Sequence, residues 1–162
     1  MDDMEVDKVQ SFGGIQNKVI EQHSHPEIDV GLIRVKSQLT PLAGLSFSSP
    51  VAGSNLYTIG YPRIPMSIDA VPIMHRGEVT VPWLKTFHGH NLFLYSAIAR
   101  PGNSGGPIVG ENGTVVGIVT EELHEDSSKS GLPFYAGVPT TEIVRAIKDI
   151  CPTVELPVED YA

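Results

Sequence analysis

The chain is predicted to be all-β with one closing helix, and three observations carry that prediction. Sixteen glycines and thirteen prolines in 162 residues interrupt it too often for long helices. The β-branched and aromatic residues fall in short runs bounded by turn residues. Only one stretch, near the C-terminus, repeats apolar residues at helical spacing. A hydrophobic content of 41% against 19% charged residues suits one domain with a sizeable core.

The elements follow in order. Residues 6–12 and 17–22 alternate apolar and polar positions around Gly13-Gly14, which predicts a hairpin. The polar turn Glu21-Gln-His-Ser-His-Pro-Glu-Ile-Asp29 then enters a strand, Val30-Gly-Leu-Ile-Arg-Val35. Taken alone, Asp29 reads as a residue that punctuates a turn at a strand entry. Residues 37–54, with Pro41, Gly44, Pro50 and Gly53, read as a connection between two halves, dividing the chain into 1–36, 37–54, 55–150 and a tail at 151–162.

Asn55-Leu-Tyr-Thr-Ile-Gly-Tyr61 is a strand stopped by Pro62, and residues 73–81 and 91–96 are two more. Between them, 82–90 is expected to be a loop carrying Trp83, the single tryptophan; it either borders a substrate cleft or, the preferred reading, packs on the barrel. Ile108-Val109 and Val115-Val-Gly-Ile-Val119, joined through Asn112-Gly113, predict a second hairpin. Residues 121–131 are a charged, serine-rich loop, and 132–139 a last strand. In the helix that follows, Thr140 or Thr141 is the expected cap, Glu142 suits the positive end, and Ile143, Val144, Ile147 and Ile150 form one stripe that Pro152 stops. The tail at 154–162 is acidic.

Charge and composition narrow the partners. A net charge of −8 with no Lys/Arg cluster argues against nucleic acid, because phosphate contacts need basic side chains. No apolar run approaches the ~20 residues needed to span a bilayer, and Met1-Asp-Asp-Met-Glu5 has no signal-sequence character, so no membrane partner is expected. Cys151, the single cysteine, cannot form an internal disulfide.

The chemistry concentrates in Ala99-Arg-Pro-Gly-Asn-Ser-Gly-Gly-Pro107. Glycine and proline at this density disfavour any regular element, so this is a shaped loop. Removing Cβ atoms at Gly102, Gly105 and Gly106 lets backbone N–H groups crowd around Ser104, which is how an oxyanion hole is built. A bare Gly-x-Ser-x-Gly is also compatible with an ordinary turn.

The longer match, Gly102-Asn-Ser-Gly-Gly-Pro107 with its following hairpin, resembles the nucleophile loop of chymotrypsin-like serine peptidases, in particular the HtrA-like, bacterial-type trypsin-like branch. Asp29-Val-Gly-Leu-Ile-Arg-Val35 is similar to that family's Asp-Ile-Ala-Leu-Leu-Lys-Val segment, which carries the triad aspartate. The resemblance covers roughly residues 6–150. It implies a double β-barrel, Ser104 as nucleophile, the amides of Gly102 and Ser104 as oxyanion donors, and Asp29 as the carboxylate orienting a histidine. It implies peptide or protein substrates, no cofactor and no metal.

A serine hydroxyl needs a base to take its proton, and in the family the histidine precedes the aspartate by roughly 30 to 45 residues. None of the first 22 residues is His. The expectation is therefore a match that begins part-way through the first barrel, leaving that barrel incomplete, its edge open to self-association, and turnover impaired. His23 and His25 lie on the turn before Asp29, whereas the family's histidine comes from another strand; His75, His88, His90 and His124 belong to the second half. The pairs 23/25 and 88/90 are expected to be solvated loop histidines rather than zinc ligands.

Carried over by position, Ile98 lies at the base of the primary specificity pocket, Val119 and Thr120 supply one wall, and Tyr135, within 134–137, the other. An apolar base implies small or medium apolar substrate side chains. Ile98 is equally compatible with simple core packing. Asn103 stands where zymogen-type members carry an Asp that pairs with a newly cut N-terminus, so activation by cleavage is not implied. The function implied is serine-type peptide hydrolysis through an acyl-enzyme on Ser104. The alternative is a non-catalytic module that keeps the cleft for gripping peptides.

Overall fold

A computed structural model describes residues 9–12, 15–38, 46–123 and 133–159. Among these described residues, nine strands and one helix run in order: β1 (Val9–Phe12), β2 (Ile15–Ser24), β3 (Gly31–Val35), β4 (Asn55–Gly60), β5 (Ile73–Lys85), β6 (Asn91–Tyr95), β7 (Pro107–Gly110), β8 (Val115–Leu123), β9 (Phe134–Pro139) and α1 (Thr140–Ile150). The last six strands close into a barrel in the order β4-β5-β6-β9-β8-β7, and the first three form a separate sheet, β1-β2-β3. This is the chymotrypsin-like arrangement expected from the sequence, with one barrel closed and the other half an open sheet among the described residues.

Closure follows from alternation. Along β4, Leu56, Thr58 and Gly60 are buried while Tyr57 and Ile59 are less so, the period-2 pattern of a strand with one face on a core. Of these, Leu56 meets Val79, Phe93, Tyr95, Ile108 and Val119 in an apolar cluster. Phe93 is fully buried, worth about 1.5–3 kcal/mol of transferred surface. Its ring fills the space that two glycines leave: a Cβ on Gly117 or Gly137 would lie only 2.5 or 2.7 Å from ring atom Cε1.

A second cluster joins the two halves. Ile28 and Val30, flanking Asp29, pack with Leu92, Ala136 and Val138 from the barrel and with Ile143, Ala146 and Ile147 from α1. Of the stripe that the periodicity predicted, Ile143 and Ile147 are buried, joined by Ala146, while Val144 and Ile150 are only partly buried. The cap of the helix differs from expectation. Thr140 is already the first helical residue, so its hydroxyl donates to the Val115 carbonyl (3.1 Å), tying helix to β8, and no side chain caps the first turn.

Other boundaries moved for identifiable reasons. β1 and β2 pair with Phe12 opposite Ile15, as a tight hairpin requires; Gly13 and Gly14 lie outside the described residues. Residues 82–85 are strand, not loop. The register slips between Val81 and Leu84, so Pro82 falls in a bulge where no ladder N–H is needed. Trp83 therefore sits on the outer face, 59% exposed rather than packed. β8 likewise continues to Leu123 through a second irregularity, beyond which the expected loop lies outside the described residues. At the other end, the Phe47 N–H donates to Pro157 and the Glu159 N–H to Phe47, at 2.8 and 2.6 Å. Residues 157–159 thus lie along the connection between the halves.

Candidate active site

The loop around Ser104 is held by its own backbone and by the barrel. The Asn103 N–H donates to the Arg100 carbonyl (2.8 Å), and the Arg100 N–H returns a bond to Asn103 Oδ1 (3.1 Å), closing a reciprocal turn on a side chain that is 0% exposed. The Tyr61 N–H donates to the Gly102 carbonyl, anchoring the turn to the end of β4 (3.1 Å). Gly105 and Val119 continue the attachment to β8, with Gly105 N–H to Val119 O at 2.8 Å and Val119 N–H to Gly106 O at 2.9 Å. Gly102 adopts φ +103° and any Cβ there would lie 2.6 Å from the Tyr61 carbonyl oxygen, so only glycine fits. Among the described residues, the amides of Gly102 and Ser104 donate to no backbone carbonyl.

Asp29 and Ser104 meet through one residue. The Thr120 hydroxyl donates to Asp29 Oδ2 at 2.5 Å, and the Thr120 carbonyl accepts from Ser104 Oγ at 3.4 Å. Both Asp29 and Ser104 are exposed. The sheet-borne carboxylate and the barrel-borne hydroxyl thus face the same stretch of β8. A cleft of about 650 Å³ opens on the Asp29 side of Thr120, bordered by Glu27, Asp29, His88, Asn91, Thr120 and Arg145, and Ser104 does not line it.

No described imidazole touches Asp29 or Ser104. His23 is on β2 with its side chain half exposed near Glu21 (3.8 Å). His75 lies on β5 opposite Thr58. The rings of His88 and His90 are 6.3 Å apart on the exposed β5–β6 connection, and His124 lies outside the described residues. His25 corrects the solvated-loop expectation: it is only 8% exposed, accepts two backbone N–H groups, and bonds Asp149 of α1. Among the described residues no group of three or more His, Cys, Asp or Glu side chains could hold a metal ion.

The residues assigned to a specificity pocket divide by exposure. Ile98 is 42% exposed, and its carbonyl accepts from the buried Thr58 hydroxyl (3.3 Å). Val119 is buried in the barrel core, so the atoms it can turn toward the surface are backbone ones. Thr120 is partly exposed. Tyr135 is half buried, its ring stacked on Tyr95 at 6.2 Å.

Sequence reasoning singled out Thr120 as a wall and missed it as the bridge between Asp29 and Ser104. It also missed the bond between His25 and Asp149, 124 positions apart. The only local signal for the latter was His25-Pro26 opening a turn.

The family model for the trypsin-like peptidase domain matches residues 3–118, while no curated protein sequence matches the chain. Three solved structures share the fold. The HtrA-type protease AlgW, in a structure with a decapeptide, is 19% identical with a TM-score of 0.65, and the match covers 85% of this chain and 41% of that one. The Rv3671c protease of M. tuberculosis in its active form is 19% identical with a TM-score of 0.64, covering 93% and 65%. The MamO protease domain of Magnetospirillum magneticum is 20% identical with a TM-score of 0.58, covering 80% and 66%. The chain therefore spans less than half of AlgW and about two thirds of the other two. With the family match extending from the first sheet through the Ser104 loop and into β8, the chain belongs to the trypsin-like peptidase domain family.

Proposed function

We propose that the domain lays an extended peptide across the face where β8 passes between Asp29 and Ser104, and carries the acyl-transfer parts of a serine endopeptidase there. In this reading Ser104 Oγ is the nucleophile and the Gly102 and Ser104 amides stabilise the tetrahedral oxyanion. Asp29 is the carboxylate that orients an imidazole. Ile98, at the pocket base, favours small or medium apolar side chains, with Thr120 and Tyr135 beside it. The observation that carries the reading is the Thr120 bridge: 2.5 Å to Asp29 from its hydroxyl and 3.4 Å to Ser104 from its carbonyl. The two unengaged amides support it, and the AlgW structure with a decapeptide supports a peptide as the occupant.

Turnover by these 162 residues alone is very slow in this reading. Triad members act as a unit, and losing the base removes up to about 10⁶-fold in kcat. His25 does not substitute, because its Nδ1 already accepts two amides and its Nε2 faces Asp149. That engagement favours a second reading, in which the domain grips peptide without cleaving it.

A fluorophosphonate probe and an apolar-peptide hydrolysis assay, each run beside Ser104→Ala, test both readings. The expected result is labelling and turnover close to the Ser104→Ala background. Turnover comparable to an intact peptidase, abolished by Ser104→Ala, would overturn slow turnover while retaining the nucleophile. Peptide binding indifferent to Ser104→Ala, with no acyl-enzyme, favours the gripping module.

A further inference from the structure

The turn that presents Asp29 is built around a side chain. His25 Nδ1 accepts from the N–H groups of Glu27 (3.2 Å) and Ile28 (3.0 Å), and the same residue's backbone N–H donates to Val30 (2.9 Å). Asp or Asn ordinarily supplies such an acceptor two and three residues ahead of itself. Here an imidazole does so, and it is long enough to reach onward. Its Nε2 lies 3.2 Å from Asp149 Oδ2 on the last turn of α1.

One protonation state satisfies every contact. Two N–H donors on Nδ1 require a bare nitrogen there, which leaves the proton on Nε2, where it donates to the carboxylate. The side chains around the turn reinforce the geometry. Ile28 and Val30 are buried against α1 and β9, so Asp29 between them turns the other way, toward Thr120.

The geometry points to His25 as the positioning residue for Asp29: its neutral, Nε2-protonated imidazole caps the turn from within and fastens it to α1. The catalytic sense of this rests on the reading of Asp29 given above, but the turn itself does not. His23, Glu27 and Arg145 also border the hollow that His25 shares with Asp149, and none of them makes a bond to the ring that replaces those of Glu27, Ile28 and Asp149.

The test is nuclear magnetic resonance on the full 162-residue chain, whose readouts are independent of peptide binding and hydrolysis. In the unsubstituted protein at neutral pH, the ¹⁵N shifts of His25 should show a proton on Nε2 and a bare, hydrogen-bonded Nδ1. A proton on Nδ1 overturns the proposal without any variant. In His25→Ala, the Ile28 amide should exchange about tenfold faster or more, as expected for an unmade hydrogen bond, and the Asp29 carboxyl ¹³C signal should move toward that of a solvated aspartate. His25→Asn, which keeps a side-chain acceptor, should restore the Ile28 protection and the Asp29 signal. Asp149→Ala should perturb α1 and the ring while leaving the cap. If His25→Ala and His25→Asn shift Asp29 equally, or neither does, His25 is packing only.

Discussion

The two halves of the site rest on foundations of different kinds. Ser104 rides on a barrel whose six strands are all paired on both sides. Asp29 rides at the entrance to a three-stranded sheet, held to the barrel by Ile28, Val30 and the Thr120 hydroxyl. A closed barrel has no edge to fray, so the Ser104 loop inherits its rigidity from strand pairing. The carboxylate has no such inheritance, and depends on packing and a few side-chain bonds. Two groups that act together in the proposed function are thus held by unequal restraints, and in that reading the weaker one sets how often they are aligned.

Substitutions in each half break or sharpen this contrast. The largest effect is expected from Phe93→Ala, which empties the barrel centre at a cost of about 3–5 kcal/mol. Denaturant unfolding should show the whole barrel shifting, with β4 and β8 losing amide protection together. Ile28→Ala should cost about 2–4 kcal/mol. The informative point is whether the sheet then melts ahead of the barrel: two separate transitions sharpen the contrast, and one shared transition erases it.

Next comes Gly102→Ala, which combines a left-handed φ with a clash against the Tyr61 carbonyl. A penalty of about 1–3 kcal/mol confined to the loop should appear as altered amide resonances from Arg100 to Gly106 with β5 and β6 unchanged. Thr120→Val, which deletes only the donor to Asp29, should cost about 1 kcal/mol and leave Ser104 in place. Loosening there should register at Ile28 and Val30, not in β7. At the low end, Trp83→Ser on the outer face should alter the unfolding free energy by about 0.5 kcal/mol or less.

What could be read from the sequence follows the same division. The barrel's hairpins and the Ser104 loop were legible because their signals are local: Asn112-Gly113 between apolar runs, glycines flanking one serine, an apolar stripe before Pro152. Asp29 was singled out through its segment's likeness to a family pattern. The continuation of β5 past Pro82 was not, because proline reads as a stop unless a bulge is known to absorb it. Thr140 looked like a cap because its type suits one, and only the position of Val115 makes it a helix-to-strand tie. His25 was the deepest miss. Its acceptor role is local and resembles what Asp does in turns, but its burial depends on a helix more than a hundred residues away.

The exposure of Trp83 decides which spectroscopic signal is worth following. The one indole lies on the outer wall of β5, half in solvent already, so its emission should change little when the interior opens. The rings of Phe93, Tyr95 and Tyr135 lie close together at the centre, with centroids 5.8 and 6.2 Å apart in sequence. Near-ultraviolet dichroism from that trio, not indole fluorescence, is the optical trace that reports loss of the interior. The indole is free to serve as a label for whatever settles on the outside.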